Sequence, residues 1–151
     1  MGNRRKAREV TLQLLYETEL AQKPGLEVTE RFWKDPHSLI LEDSELSPQA
    51  MDEVKAFTRQ ILEGVSSNVR EIDALVEQHS THWKVSRMAS VDRNILRMAV
   101  FELLYCQDIP ASVTINEAIE IAKKYGTEES GAFVNGILDH IAKALKKIYS
   151  T

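Results

Sequence analysis

The stretch Val91 to Cys106, VDRNILRMAVFELLYC, constrains this chain more than any other. It has no glycine or proline, and 16 residues is an ordinary length for a globular helix. On a helical wheel Val91, Ile95, Met98, Ala99 and Leu103 line one side. Leu96, Val100 and Leu104 cover a second side, and Phe101 and Tyr105 a third. The polar arc is little more than Arg93, Asn94 and Arg97. A helix that is apolar nearly all round cannot lie on a surface, so it runs through the middle of a body. Glu102 falls inside that wheel, between Val91, Ile95 and Cys106. A carboxylate there needs a partner. The expectation is an Arg or Lys from another helix, in a structural ion pair rather than as a functional acid.

At 151 residues the chain reads as one domain, 1–151, large enough to bury a core without staples. Apolar residues make up 43% and charged residues 28%, an ordinary balance for a soluble protein. The single cysteine, Cys106, excludes an internal disulfide and fits a reducing compartment, the cytoplasm. It reads as a small buried hydrophobe. No apolar run is long enough to span a membrane, and the basic start lacks the apolar segment of a secretory signal.

The net charge of −4 argues against a general nucleic-acid binder, but the distribution is uneven. The first eight residues hold Arg4, Arg5, Lys6 and Arg8 and no acid. Residues 9–63 hold twelve acids against five bases, and the remainder is nearly balanced. Positive charge is thus a local feature on an acidic body.

Read in order, the chain is helical throughout. Asn3 is placed to cap a helix that carries Val10, Leu12, Leu14, Leu15, Tyr16 and Leu20 and stops at Pro24-Gly25. Its cationic first turn opposes the helix dipole and invites fraying or an anionic ligand. Residues 26–34 form a short helix with Leu26, Thr29 and Trp33 on one face, closed by Asp35-Pro36. A polar connection over 37–46 holds the patch Leu39-Ile40-Leu41. Ser47-Pro48 starts the next helix, with Leu46 and Met51 as a hydrophobic staple. Its stripe runs Val54, Phe57, Ile61, Val65, Val69, Ile72, Val76. That predicts one long helix bent near Gly64–Asn68, or two nearly collinear ones. Ser90 is placed to cap the central helix. After Ile109-Pro110, Thr114 and Glu117 fit a capping box ahead of a helix with Ile115, Ala118, Ile119 and Ala122 inward and Gly126 as its stop. The last helix carries Phe133, Ile137, His140, Ile141, Leu145 and Ile148, with Lys143, Lys146 and Lys147 near its end. No strand signal and no fixed-period repeat is present. About seven helices in one all-α body is the reading.

Chemistry is sparse. The sequence has no phosphate-binding Walker loop, no dinucleotide fingerprint, no zinc-protease motif, no paired-cysteine motif and no nucleophile elbow. His79 and His82 are spaced for one helix face, but no third metal ligand accompanies them. The acidic pairs Asp52/Glu53 and Glu128/Glu129 are adjacent in sequence and read as helix starts or solvated faces. With no convergent catalytic set, the chain reads as a binding protein without cofactor or metal. The cluster Arg4, Arg5, Lys6 and Arg8 is the outstanding polar feature. It leads straight into a buried helix, and arginine forks suit phosphate and stack on bases. Single-stranded RNA is the ligand it suits best.

Four stretches carry a likeness to a known family: RRKAREVTLQLLYETEL; Trp83 and Arg87 followed by VDRNILRMAVFELLY; Pro110 with ASVTINEAIEIAKKYG; and SGAFVNGILDHIAK. Together they resemble the NusB family of bacterial transcription antitermination factors, along nearly the whole chain except about 24–50. The resemblance implies two three-helix bundles packed side by side with an additional helix, and no enzymatic activity. It implies binding of boxA RNA, as in ribosomal RNA leaders, in a heterodimer with ribosomal protein S ten (NusE). NusA, NusG and RNA polymerase complete the larger complex. The family's arginine-rich start, which contacts RNA, falls on Arg4, Arg5, Lys6 and Arg8. The turn beside the RNA falls on Glu129, Ser130 and Phe133. Here Gly131-Ala132 stand where relatives often carry a base, and Phe133, with apolar Ile137 one turn on, also fits a core position. Two rivals are a helical protein–protein adaptor and a relative of the N-terminal domain of RNA cytosine methyltransferases. The latter is expected to give a blank cofactor-binding assay, since no glycine-rich cofactor unit is present.

Overall fold

A computed structural model describes residues 2–34, 46–81 and 83–149, without the side chains of 147–149. All regular structure among these residues is helical, in agreement with the all-α reading. In chain order the helices are α1 (Gly2–Ala21), α2 (Gly25–Lys34), α3 (Pro48–Ser67), α4 (Val69–His79), α5 (Ser90–Tyr105), α6 (Ala111–Tyr125) and α7 (Ser130–Tyr149). A single 3-10 turn, Val85–Arg87, precedes α5. The polar connection with Leu39-Ile40-Leu41, its Asp35-Pro36 stop, His82 and the Lys147 and Ile148 side chains lie outside the described residues. The chain divides into two compact units, Met1–Gly64 and Val65–Thr151. The first holds α1, α2 and nearly all of α3, and the second holds α4 to α7.

In the first unit the core is Val10 and Leu14 of α1 with Val28 and Phe32 of α2; Trp33, Leu46, Met51 and Leu62 pack against it. The start of α3 forms as its sequence predicts. The Ser47 hydroxyl accepts the Ala50 N–H at 3.1 Å, and Leu46 and Met51 meet the same core as a staple. Other expectations are corrected. Asn3 is not a cap: the helix already begins at Gly2, and the Asn3 amide donates to Glu53 of α3 at 2.7 Å. The inward face of α2 is Val28 and Phe32, four apart, while Leu26 is 73% exposed. Leu20 is equally exposed and Tyr16 is partly so, because α1 buries one face through Ala7, Val10, Thr11 and Leu14 and turns the other outward. The stop of α1 comes two residues before Pro24. Gln22 takes φ 54°, a left-handed conformation, and its N–H reaches the Thr18 carbonyl at 3.0 Å.

In the second unit α5 packs against α4, α6 and α7, as a helix apolar nearly all round requires. Its wrapping is incomplete at the C-terminal end, where Leu103 and Leu104 are half-buried and Tyr105 is exposed. The polar arc is narrower than the wheel suggests. Asn94 is buried, its amide donating to the carbonyl and hydroxyl of Ser90. Ser90 is therefore inside the helix, and Ala89 occupies the cap position. Arg97 makes two 2.9 Å bonds to the carboxylate of Asp73 on α4, the fork geometry that gives such pairs their strength. Glu102 is 2% exposed and accepts the Thr114 hydroxyl at 3.1 Å. Thr114 thus sits inside α6, bonded to α5, and does not cap. The buried face of α6 is Thr114, Ala118, Ile121 and Ala122, with Ile115 and Ile119 only half-buried at its edge. Between α3 and α4 the chain breaks at Asn68, and the Ile72 N–H bonds the Asn68 carbonyl, so α4 begins at once.

Two substitutions test this frame. Gln22→Gly relieves the left-handed backbone and is expected to stabilise the protein by about 0.5–1 kcal/mol, read as a higher urea midpoint. Thr114→Val removes a donor from a buried carboxylate and is expected to destabilise by about 1–3 kcal/mol in the same assay.

Candidate nucleic-acid interface

Helix α1 is ordered from Gly2, so the basic cluster is helical rather than a tail. Its first turn holds no acid, and cations there oppose the helix dipole. Arg4 and Arg8 are one turn apart and face α3. The Arg4 guanidinium lies 5.0 Å from the centre of the Phe57 ring and that of Arg8 lies 5.3 Å from it. An aromatic face attracts each cation by about 0.5–1 kcal/mol or more when desolvated, which offsets the repulsion of like charges one turn apart. Beneath them the Ala7 carbonyl accepts the Thr11 hydroxyl at 2.6 Å and the Thr58 hydroxyl of α3 at 3.3 Å. With the Asn3–Glu53 bond, these contacts brace the start of α1 against α3.

The four cations do not share one role in space. Arg4 and Arg5 are exposed and Lys6 is half-buried. Arg8, which the sequence groups with the other three as an RNA contact, is 4% exposed. It falls on the face that buries Ala7 and Thr11, so it roots the cluster instead of extending it.

The second candidate lies in the other unit, at the turn before α7. The Ser130 hydroxyl accepts the Thr127 N–H at 2.9 Å, and the Thr127 hydroxyl accepts the Glu129 N–H at 3.3 Å. This is a reciprocal cap in which Ser stands for the usual Glu or Gln. Ser130 is 1% exposed, so its side chain holds the turn and does not face solvent. Glu128 and Glu129 are exposed. Gly126 is required sterically: its φ is ordinary, but an added Cβ would lie 2.4 Å from the Ser130 Oγ and 2.8 Å from the Ala122 carbonyl oxygen.

Phe133 is half-buried, and Val134 beside it takes the core position. The Phe133 ring meets Trp83 edge-on, with centroids 6.1 Å apart and planes at 80°. Trp83 is 53% exposed. Its place beside Phe133 was not readable from the sequence, since 50 positions separate them. The signal available was a tryptophan in a polar stretch ahead of a short 3-10 turn.

His79 packs against His140, centroids 6.4 Å apart. Among the described residues no group of three or more side chains could hold a metal ion. Cys106 is buried, as expected of a small hydrophobe. No described helix is long and apolar enough to cross a membrane.

The chain is similar to known proteins along nearly its whole length. The model of the NusB family matches residues 5–143. The transcription antitermination protein NusB of Myxococcus xanthus (strain DK1622) is 47% identical over 147 residues, covering 97% of this chain and 99% of the relative. The solved structure of T. maritima NusB superposes with a TM-score of 0.75 at 40% identity, covering 93% of this chain and 90% of that one. A chain in the crystal structure of antitermination factors NusB and NusE in complex with dsRNA superposes with a TM-score of 0.76 at 26% identity, covering 95% and 98%.

The turn is testable through Gly126. Gly126→Ala forces the added methyl into Ser130 and the Ala122 carbonyl, and is expected to cost about 1–3 kcal/mol in urea denaturation.

Proposed function

The chain belongs to the NusB family of transcription antitermination proteins, and from that premise we propose that it binds single-stranded boxA RNA together with ribosomal protein S ten (NusE). It acts by binding and holds the RNA in a complex with NusA, NusG and RNA polymerase in the cytoplasm, supporting ribosomal RNA transcription. The whole chain, 1–151, serves as one RNA-binding module.

The observation that carries this reading is the braced cationic end of α1. Arg4 and Arg5 are exposed and Lys6 partly so, on a helix tied to α3 by Phe57, Asn3–Glu53 and Thr58–Ala7. Charges on a fixed base lose little freedom when they meet phosphate, and the dipole at a helix start favours an anion there. Arg4, Arg5 and Lys6 take the phosphates, and Arg8 keeps the Phe57 platform beneath them. In the second unit Phe133 meets a base, while Glu129 and Ser130 set the turn that presents it. A body of net charge −4 repels RNA overall. A basic ribosomal partner offsets that repulsion, which is why the pair binds better than this chain alone.

The test is a titration of labelled boxA against scrambled RNA of equal length, with and without S ten, and with duplex RNA as competitor. Preference for boxA and tighter binding with the partner are expected. Absence of binding to either RNA would leave a protein–protein adaptor, equal binding of both would remove the preference for boxA, and equal affinity with and without S ten would remove the partner. Replacing Arg4, Arg5 and Lys6 by Ala is expected to flatten the log–log salt dependence by about 2. Melting of that variant should stay close to the parent, since the removed charges are largely outside the core.

A further inference from the structure

Trp83 is the most exposed aromatic side chain among the described residues, and the proposed function does not use it. The backbone on both sides of this ring is pinned, so the ring is presented from a fixed base. The Ser80 hydroxyl donates to the Trp83 carbonyl at 2.7 Å, and the Trp83 N–H bonds the Ser80 carbonyl at 3.0 Å. Two residues on, the Val85 N–H bonds the Glu77 carboxylate at 2.9 Å, and Val85 is buried. The Trp83 backbone is thus fixed just beyond α4, its ring meets that of Phe133 in a T-shaped pair, and 53% of the residue is in solvent.

Its neighbours carry the charge that a nucleic acid needs. Lys84 follows directly, and Arg87 ends the 3-10 turn; both are exposed. Among the described residues neither is drawn into an ion pair. An aromatic plane with two nearby cations is the arrangement that binds single strands: the ring stacks on an unpaired base and the cations take the flanking phosphates. Glu128 and Glu129 make the turn before α7 unwelcoming to phosphate, which leaves the ring pair to the base and Lys84 and Arg87 to the backbone.

We propose that Trp83 is a stacking platform for an unpaired RNA base, flanked by Lys84 and Arg87 as phosphate contacts. The proposal rests on the RNA-binding reading above and extends it to residues that reading leaves idle. A docked protein is the rival occupant. It is disfavoured because the exposed Lys84 adjoins Trp83, and lysine is depleted at protein–protein interfaces.

The experiment is anisotropy of labelled single-stranded boxA RNA with full-length protein, beside a parallel measurement of S ten affinity. Trp83→Ala is expected to weaken RNA binding by about tenfold, within the range of one lost stacking contact. Trp83→Leu, which keeps apolar bulk against Phe133 and so protects the fold, should lose as much. Trp83→Phe, which keeps a ring, should stay within about threefold of the parent. Lys84→Ala with Arg87→Ala should flatten the salt slope by about 1. Parent-like RNA binding by a folded Trp83→Leu variant would overturn the proposal while leaving the α1 cluster's role standing. So would a loss confined to S ten affinity, which would make this a protein-docking surface. Failure of the unaltered protein to bind any single-stranded RNA would remove both readings together.

Discussion

Arg4, Arg5, Lys6 and Arg8 stand where the backbone of α1 is itself positive, and the rest of the first unit is arranged to hold them there. Four cations at a helix start oppose the dipole and repel one another. Phe57 meets two of the guanidinium groups, and Asn3 and Ala7 tie the first turns to Glu53 and Thr58 of α3. Without those contacts a helix with this start would fray. With them, a locally unfavourable charge distribution becomes a fixed surface. Arg8 is buried against the ring that its exposed neighbour Arg4 meets one turn earlier.

The second unit solves a different problem. Its central helix has apolar side chains on nearly every side, so α4, α6 and α7 must surround it, and the polar groups caught inside must find partners. Glu102 finds Thr114, Arg97 finds Asp73 and Asn94 turns back on Ser90. Hydrogen bonds tie Trp83 to Ser80, Val85 to Glu77, and Thr127 to Ser130 in the turn before α7. These two segments present rings, Trp83 and Phe133, on a body that performs no chemistry of its own.

Much of this was legible in the residues. Periodicity found the helices, Ser47-Pro48 marked the start of α3, and Gly126 marked the end of α6. The misreadings share one cause. Asn3, Ser90 and Thr114 are all good cap residues by type, yet each lies inside a helix because a tertiary partner claims its side chain or the helix begins earlier. Leu20 and Leu26 look inward by hydropathy, but a helix with one buried face leaves some leucines outside. Ile115 and Ile119 were read as inward, but the apolar residues of α6 cover more than one face and these two lie at its edge. For the candidate site, sequence could place charge along the chain but not depth. Arg8 and Ser130 look like their exposed neighbours in the sequence, yet both are buried. The Trp83–Phe133 contact depends on packing across the second unit, which no local pattern encodes.

The two tryptophans fall one in each compact unit and in unlike surroundings. Trp33 is half-buried, with the Phe32 ring at its edge and the Lys55 ammonium 5.3 Å above it, while Trp83 stands largely in water. Indole emission moves to longer wavelength as water reaches the ring, so the chain carries two intrinsic dyes of different colour. Whether the units melt together or in sequence can therefore be watched optically, with no label attached.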